Sequence, residues 1–298
     1  MPRYPDFFVV GAAKSGTTAI WKYLSTIPGI YMTKDIREKE LGFFSNGYGL
    51  TNLNEYLSFF SGAKPNEIIG ESCHAYLTSV ESAEMIKSSV RNAKIIISLR
   101  NPAKRAFSLY SWMVMHGYEN KLSFEEALQV EQQRISDPNF IKRPPHPYLK
   151  NFEYYGTGFY FQQVKRYFDV FGQENVRVLI FEEFIKHENR KIVFELVKFL
   201  GIDTDITPIF TRENESFKVK DVSKQFFLRQ TWERKLKGYF FSRYFADHLL
   251  NFRMHRNLDR KSKYEINPKT YSMLIKMYKE DITNLSNLLN KDLNQIWN

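Results

Sequence analysis

A run of β-branched residues constrains the fold of this chain more than any other feature. Residues 93–99 read Ala-Lys-Ile-Ile-Ile-Ser-Leu, an almost continuous apolar stretch of strand length. Strands that are buried on both faces carry such runs, whereas strands with one face in water alternate apolar and polar residues. We therefore predict a central strand of a parallel sheet at this position.

Segments typical of strands and helices alternate around this run. Apolar runs predict further strands at residues 7–10, 67–70 and 176–181, and Pro102 occupies the position at which a helix would begin after the central strand. Strands that alternate with helices indicate βαβ units around a mostly parallel sheet. We predict an α/β fold with a P-loop-like central parallel sheet, flanked by helices and carrying helical and loop insertions.

A turn of small residues follows the first predicted strand. Residues 11–18 read Gly-Ala-Ala-Lys-Ser-Gly-Thr-Thr and lead into a helical pattern. Such a turn lets backbone N–H groups converge on an anion, and the helix N-terminus adds partial positive charge. Lys14 supplies a cation, while Ser15, Thr17 and Thr18 supply hydroxyl donors. Because the lysine precedes the second glycine, the order differs from the G-x-x-x-x-G-K-[ST] loop of nucleotide triphosphatases, which disfavours hydrolysis of ATP or GTP.

A second basic motif follows the isoleucine-rich strand, where residues 98–110 read Ser-Leu-Arg-Asn-Pro-Ala-Lys-Arg-Ala-Phe-Ser-Leu-Tyr. Arg100 stands at the C-terminal end of the strand, where open α/β sheets bind ligands, and a guanidinium can hold a phosphate through two hydrogen bonds. Ser108 lies two helical turns further on and could face the same ligand. Lys104 and Arg105 fit better as part of a solvated basic helix face.

Together, these two motifs resemble the sulfotransferases that use 3′-phosphoadenosine 5′-phosphosulfate (PAPS). Weaker similarities follow at residues 178–184 and 199–202. The resemblance implies a metal-independent enzyme that transfers a sulfuryl group from PAPS and releases adenosine 3′,5′-bisphosphate. The residues that it implies for the 5′ end of the donor are Lys14, Ser15, Gly16, Thr17 and Thr18. Those that it implies for the 3′-phosphate are Arg100 and Ser108, with Lys218 and Lys220 as candidates on a later loop.

The resemblance implies two different candidates for the catalytic base, with Lys14 as an assisting cation. Residues 39–44, Lys-Glu-Leu-Gly-Phe-Phe, resemble an element of carbohydrate-type and bacterial sulfotransferases whose glutamate is the base, which corresponds to Glu40. Residues 70–76, Gly-Glu-Ser-Cys-His-Ala-Tyr, resemble the segment of the cytosolic type whose histidine is the base, which corresponds to His74. Ser72 replaces the lysine of that element. The sequence leaves the choice between Glu40 and His74 open, and both could act together.

The formal net charge of +10 favours an anionic partner. A P-loop kinase-like phosphotransferase and a basic module that binds polyanions or nucleic acids are the alternatives to a sulfotransferase. The nucleic-acid alternative lacks a recognised reader motif, so we expect no nucleic-acid partner. We expect a small-molecule or saccharide acceptor with a hydroxyl or an amine, and the oligomeric state is not readable.

The sequence indicates a chain that is not divided into separate domains. No repeat, low-complexity tract or linker divides its 298 residues. We predict a single domain over residues 1–298, with a nucleotide-binding α/β core at 6–202 and a mainly helical and loop completion at 203–298. The N-terminal apolar run is of strand length only and no run approaches a spanning helix, so we predict a cytoplasmic protein without membrane contact.

Overall fold

A computed structural model describes residues 3–35, 38–141, 148–184, 190–202, 217–231 and 243–297. The chain forms two compact units that interleave along the sequence. The first unit comprises residues 1–102, 159–213 and 278–298, and the second comprises residues 103–158 and 214–277. The single-domain organisation with a boundary near residue 202 stays a prediction.

The first unit contains a five-stranded parallel sheet with the strand order β2-β3-β1-β4-β5. Its strands are β1 (Phe7–Gly11), β2 (Ile30–Met32), β3 (Ile68–Ser72), β4 (Lys94–Leu99) and β5 (Val176–Ile180). The central position of β1 and the complete burial of Ile95, Ile96 and Ile97 on β4 account for the continuous apolar runs. The sheet confirms the predicted α/β fold. The sequence did not predict β2.

The described helices, in chain order, are α1 (Thr17–Leu24), α2 (Leu53–Ser58), α3 (Ala75–Thr78), α4 (Ser82–Ser89), α5 (Pro102–Met115), α6 (Phe124–Gln129), α7 (Glu131–Ser136), α8 (Pro138–Ile141), α9 (Phe161–Phe171), α10 (Phe181–Phe184), α11 (Arg190–Phe199), α12 (Val222–Thr231), α13 (Arg243–Arg256), α14 (Pro268–Leu289) and α15 (Leu293–Trp297). Short 3₁₀ helices cover Leu149–Phe152, Gly156–Gly158 and Gln173–Asn175.

The core of the first unit lies between α1 and the sheet. Ile20 and Leu24 belong to the buried face of α1 and pack in one cluster with Val9 of β1 and Ile96 of β4. Each such side chain stabilises the fold by about 1.5–3 kcal/mol when it is withdrawn from water. The loop between β1 and α1 is therefore held at both ends by buried elements.

Helix α15 is hydrogen-bonded to Asn101, the residue directly before α5. The side-chain amide of Asn101 donates a hydrogen bond to the main-chain oxygen of Trp297 at 2.5 Å, and the indole N–H of Trp297 donates to Glu182 at 3.0 Å. Glu182 also accepts a hydrogen bond from the main-chain N–H of Asn101 at 2.9 Å. Asn101, Glu182 and Trp297 are therefore each hydrogen-bonded to the other two, and Asn101 directly follows Arg100 in the chain.

The second unit has its own buried polar centre. Arg134 makes two hydrogen bonds to Glu119, at 2.6 and 2.8 Å, and the hydroxyl of Tyr154 donates to the same carboxylate at 2.7 Å. Arg105 is 1% exposed and donates to the main-chain oxygen of Tyr154 at 2.5 Å. The expectation of a solvated Arg105 is therefore wrong, because its guanidinium satisfies a buried carbonyl.

Candidate functional site

The loop between β1 and α1 lies at the edge of the sheet where the strands end. The main-chain N–H of Ala12 donates to the oxygen of Ser98 at 2.7 Å, and the hydroxyl of Ser98 donates to the oxygen of Ser15 at 2.5 Å. Strand β4 thus fixes this loop from its neighbouring position in the sheet. Ser15 is fully buried, and its own hydroxyl has no hydrogen-bond partner within the described part of the chain. A buried hydroxyl of this kind can donate to a ligand.

Gly16 makes the transition from the loop to α1. Its φ of 85° lies in the left-handed region, which a residue with a Cβ adopts only at a cost. A Cβ at this position would lie 2.9 Å from Cδ2 of Phe181 and 3.0 Å from Cε1 of Phe184. Because no side chain caps α1 at Gly16, the loop leaves the first main-chain N–H groups of the helix for another acceptor.

Arg100 brings the two basic motifs of the sequence together. Its Nη1 donates to the main-chain oxygen of Lys14 at 3.2 Å, across 86 positions of sequence. The guanidinium carbon lies 4.7 Å from the centroid of the Phe181 ring, within the range of a cation–π contact. The sequence reasoning missed Phe181, although its place directly after β5, at the same edge of the sheet, is a signal that could have found it.

Positive charge is concentrated around Lys14. Burial, and after it the charges of Arg100 and Lys39, together lower the pKa of this lysine to about 8. Cations that are held close together cost free energy in the absence of an anion. The arrangement is therefore suited to bind a strongly anionic group.

Lys39, Glu40 and His74 form a connected set beside the loop. Nζ of the buried Lys39 donates to the hydroxyl of Thr17 at 3.3 Å and contacts one carboxylate oxygen of Glu40. The other oxygen, Oε2, lies 2.8 Å from Nδ1 of His74 and accepts the main-chain N–H of His74, also at 2.8 Å. The two candidate bases are thus hydrogen-bonded to each other.

The state of the Glu40 carboxyl follows from these contacts. Burial by itself would raise the pKa of Glu40, but the charges of Lys39 and His74 and the hydrogen bonds from both residues outweigh it. The pKa of Glu40 is consequently held well below its usual range, so this carboxylate is a weak proton acceptor. It can instead orient an imidazole and stabilise its protonated form.

The structure brings most of the predicted site residues together in the first unit. These residues are Lys14, Ser15, Gly16, Thr17, Thr18, Glu40, His74 and Arg100. Three others belong to the second unit: Ser108 on α5, Lys218 on the two-residue strand β6 (Lys218–Val219), and Lys220, whose Nζ donates to the main-chain oxygen of Arg256 at 3.3 Å. Strand β6 pairs with β7 (Leu258–Asp259). The predicted roles of these three residues stay predictions.

The residues that the structure describes offer neither a metal cluster nor a membrane-spanning helix. They contain no group of three or more His, Cys, Asp and Glu side chains arranged to hold a metal ion. None of the helices that the structure describes has both the length and the apolar character needed to cross a lipid bilayer.

A comparison with protein families decides the classification. The family model of the sulfotransferase domain matches residues 4–243. The chain belongs to the sulfotransferase domain family. This confirms the resemblance drawn from the two basic motifs, and it supports transferase activity over the alternative of a nucleic-acid-binding module.

Relatives and solved structures agree with this classification. A crystal structure of a sulfotransferase from Alicyclobacillus acidocaldarius is 29% identical, with a TM-score of 0.71 over 98% of both chains. The chain described here is also 29% identical over 134 residues to the membrane-associated sulfotransferase kil1 of Dictyostelium discoideum, a match that covers 43% of this chain and 28% of the relative. It is 26% identical over 207 residues to the human bifunctional heparan sulfate N-deacetylase/N-sulfotransferase 3, covering 67% of this chain and 22% of the relative. The match therefore spans less than a third of either curated relative.

Proposed function

We propose that this sulfotransferase transfers a sulfuryl group from PAPS to a hydroxyl or amine of an acceptor, releasing adenosine 3′,5′-bisphosphate. The observation that carries the proposal is the hydrogen bond from Arg100 to the main-chain oxygen of Lys14. It joins a loop suited to a 5′-phosphosulfate and an arginine suited to a 3′-phosphate at one edge of the sheet.

The residues present fit a nucleotide with anionic groups at both its 3′ and its 5′ position. The unpartnered hydroxyl of Ser15 and the uncapped first turn of α1 supply donors, and Lys14 supplies positive charge. Residues of this loop, Lys14 to Thr18, would hold the 5′ end. Arg100 would hold the 3′-phosphate, and we retain Ser108, Lys218 and Lys220 as further contacts to that group.

His74 is the base in our proposal, and Glu40 orients it. When Nδ1–H of His74 is donated to Glu40, the proton of the acceptor is received at Nε2 of the imidazole. The carboxylate of Glu40 then stabilises the imidazolium, as the acidic residue does in a Ser-His-Asp triad. The depressed pKa of Glu40 favours this division of roles over direct proton abstraction by the carboxylate.

The bond changes of the transfer balance with these residues. An S–O or S–N bond forms to the acceptor while the bond between sulfur and the bridging oxygen of the donor breaks. The proton of the acceptor goes to His74, and the negative charge that develops on the leaving phosphate lies near the cationic groups of Lys14 and Lys39. PAPS itself supplies an activated sulfuryl group when bound, so the protein contributes position and charge.

The acceptor is a small molecule or a saccharide in this proposal. The human relative is named as a heparan sulfate N-sulfotransferase, which makes a saccharide with a free amine the first acceptor to assay. Hydroxylated saccharides and aromatic alcohols are the next. Location in the cytoplasm stays a prediction that subcellular fractionation can test.

An assay with sulfur-labelled PAPS tests the proposed function. We expect transfer of label to an acceptor in the presence of EDTA, because the cationic side chains of Lys14 and Lys39 can supply the positive charge at the transferred group. A parallel reaction with ATP and Mg²⁺ tests the phosphotransferase alternative. Phosphate transfer from ATP, without sulfuryl transfer from PAPS, would contradict the proposal.

A further inference from the structure

Glu71 is a buried carboxyl that the proposed reaction does not use. It lies on β3, three positions before His74, and is 2% exposed. The hydroxyl of Tyr56 donates to its Oε2 at 2.6 Å, and the hydroxyl of Tyr76 donates to its Oε1 at 2.5 Å. Burial of a carboxyl is costly unless such donors compensate it. Both oxygens of Glu71 are therefore engaged by side chains from other elements.

The two tyrosines extend from Glu71 to the segment that carries Glu40. The hydroxyl of Tyr76 accepts a hydrogen bond from the main-chain N–H of Phe44 at 3.4 Å. The ring of Phe43 stacks on the ring of Tyr56, with centroids 4.4 Å apart and an interplanar angle of 12°. Phe43 and Phe44 follow Glu40 by three and four positions, so these contacts fix the backbone immediately beyond the carboxylate.

Glu71 is also close to His74 through the chain itself. The main-chain N–H of Cys73, between the two residues, donates to the oxygen of Val9 on the central strand at 3.0 Å. His74 lies directly before α3, and Tyr76 of α3 donates a hydrogen bond to Glu71. A short, hydrogen-bonded stretch therefore connects the Glu71 carboxyl to the imidazole.

We propose that Glu71 is a positioning residue that holds the segment of Glu40 against the segment of His74 through Tyr56 and Tyr76. Its consequence for catalysis rests on the proposed function. The contact between Glu40 and His74 is an observation of the structure and does not depend on that function. Loss of the network would let the Glu40 segment move away and would weaken the contact at His74.

The carboxyls of Glu71 and Glu40 also interact through their charges. The pKa of Glu71 is raised to about 7, chiefly by burial; the hydrogen bonds from Tyr56 and Tyr76 oppose the rise, and the charge of Glu40 adds to it. The neighbouring Cys73 thiol has its pKa raised well above the usual value, chiefly by burial, so it remains neutral. The negative charge of Glu40 therefore disfavours ionisation of Glu71.

Titration of His74 by NMR tests the positioning role directly. We expect the imidazole of the Glu71→Gln variant to bind protons about tenfold more weakly than that of the wild type, since it loses part of its contact with a carboxylate. Tyr56→Phe and Tyr76→Phe, which each remove one donor and leave the carboxyl in place, should change it in the same direction. With an active acceptor, kcat should fall about tenfold while the affinity for adenosine 3′,5′-bisphosphate stays within about threefold.

Tyr154→Phe is the matched control, because Tyr154 also donates to a buried glutamate, Glu119, at 2.7 Å in the second unit. We expect it to lower the melting temperature without altering the titration of His74. Wild-type titration in both Glu71→Gln and Tyr56→Phe would overturn the positioning role, even if both variants were less stable. Failure of the wild type to bind the nucleotide would instead refute the proposed function, and the NMR result would still decide the role of Glu71.

Discussion

Nδ1 of His74 lies 2.8 Å from Oε2 of Glu40, and the main-chain N–H of His74 donates to the same oxygen. Two segments that correspond to the bases of different sulfotransferase types therefore meet in this chain as one pair. In our proposal, His74 receives the proton of the acceptor and Glu40 orients the imidazole of His74.

This pairing predicts that substitutions of the two residues are not additive. His74→Ala should lower kcat by about 10²–10⁴-fold, the range for loss of a general base, and Glu40→Gln should lower it less. Because Glu40 acts through His74, the double variant should be within about threefold of His74→Ala. Steady-state kinetics with the best acceptor measure this. Multiplicative losses, with unchanged nucleotide affinity in all three variants, would show that the residues act independently.

The lowered pKa of Lys14, about 8, predicts a pH-dependent affinity for adenosine 3′,5′-bisphosphate. The phosphates are ionised above pH 7 and favour the protonated lysine, so the pKa of Lys14 rises on binding and the complex takes up protons above pH 8. We expect calorimetric affinity to fall between pH 8 and pH 9.5, by up to about tenfold per pH unit. Lys14→Arg, which stays charged, should give a flat profile. A flat profile in the wild type would contradict the assignment.

Arg100 should contribute strongly to nucleotide binding. Arg100→Ala removes hydrogen bonds between charged groups, which are worth about 1.5–3 kcal/mol, and should weaken binding of adenosine 3′,5′-bisphosphate about 10–100-fold. Arg166→Ala is the matched control, because Arg166 also donates to main-chain oxygens of the first unit, those of Leu77 and Ser79. It should leave the affinity within about twofold of the wild type. Equal losses in both variants would indicate a general effect on folding.

Gly16 and Gly47 provide a paired test of the loop geometry. Both have positive φ, at 85° and 74°, but a Cβ on Gly16 would meet Phe181 at 2.9 Å, whereas a Cβ on Gly47 would have no atom within 4 Å. Gly47→Ala should cost about 1 kcal/mol of unfolding free energy from the backbone alone. Gly16→Ala adds a clash and should cost about 3 kcal/mol. Urea denaturation measures both, and equal costs would refute the packing of Phe181 against the loop.

The sheet was largely predictable because its central strands are buried on both faces. The run at residues 93–99 corresponds to β4 at Lys94–Leu99, and the other apolar runs correspond to β1, β3 and β5. Strand β2 has only three residues after the Pro28-Gly29 turn, which is too short for a periodic pattern. Arg105 was assigned to solvent because the acceptor of its hydrogen bond, the oxygen of Tyr154, lies 49 positions away.

The residues of the candidate site lie in separate segments, and the sequence indicated these segments but not the contacts between them. The loop from Lys14 to Thr18 carries its donors on consecutive residues. The Glu40–His74 contact instead joins residues that are 34 positions apart, with Oε2 of Glu40 2.8 Å from Nδ1 of His74. Phe181 comes from a third segment, after β5. No periodicity of the sequence relates such distant positions, so the contacts between them are visible only in the fold.

The hydrogen bond between Asn101 and Trp297 has a consequence for the order of folding during synthesis on the ribosome. Synthesis proceeds from the N-terminus, so Asn101 is made 196 residues before Trp297, whose main-chain oxygen accepts its hydrogen bond. Nascent chains that already contain the whole sheet still lack this closing contact. That strand end therefore reaches its finished form only after Trp297 has been synthesised.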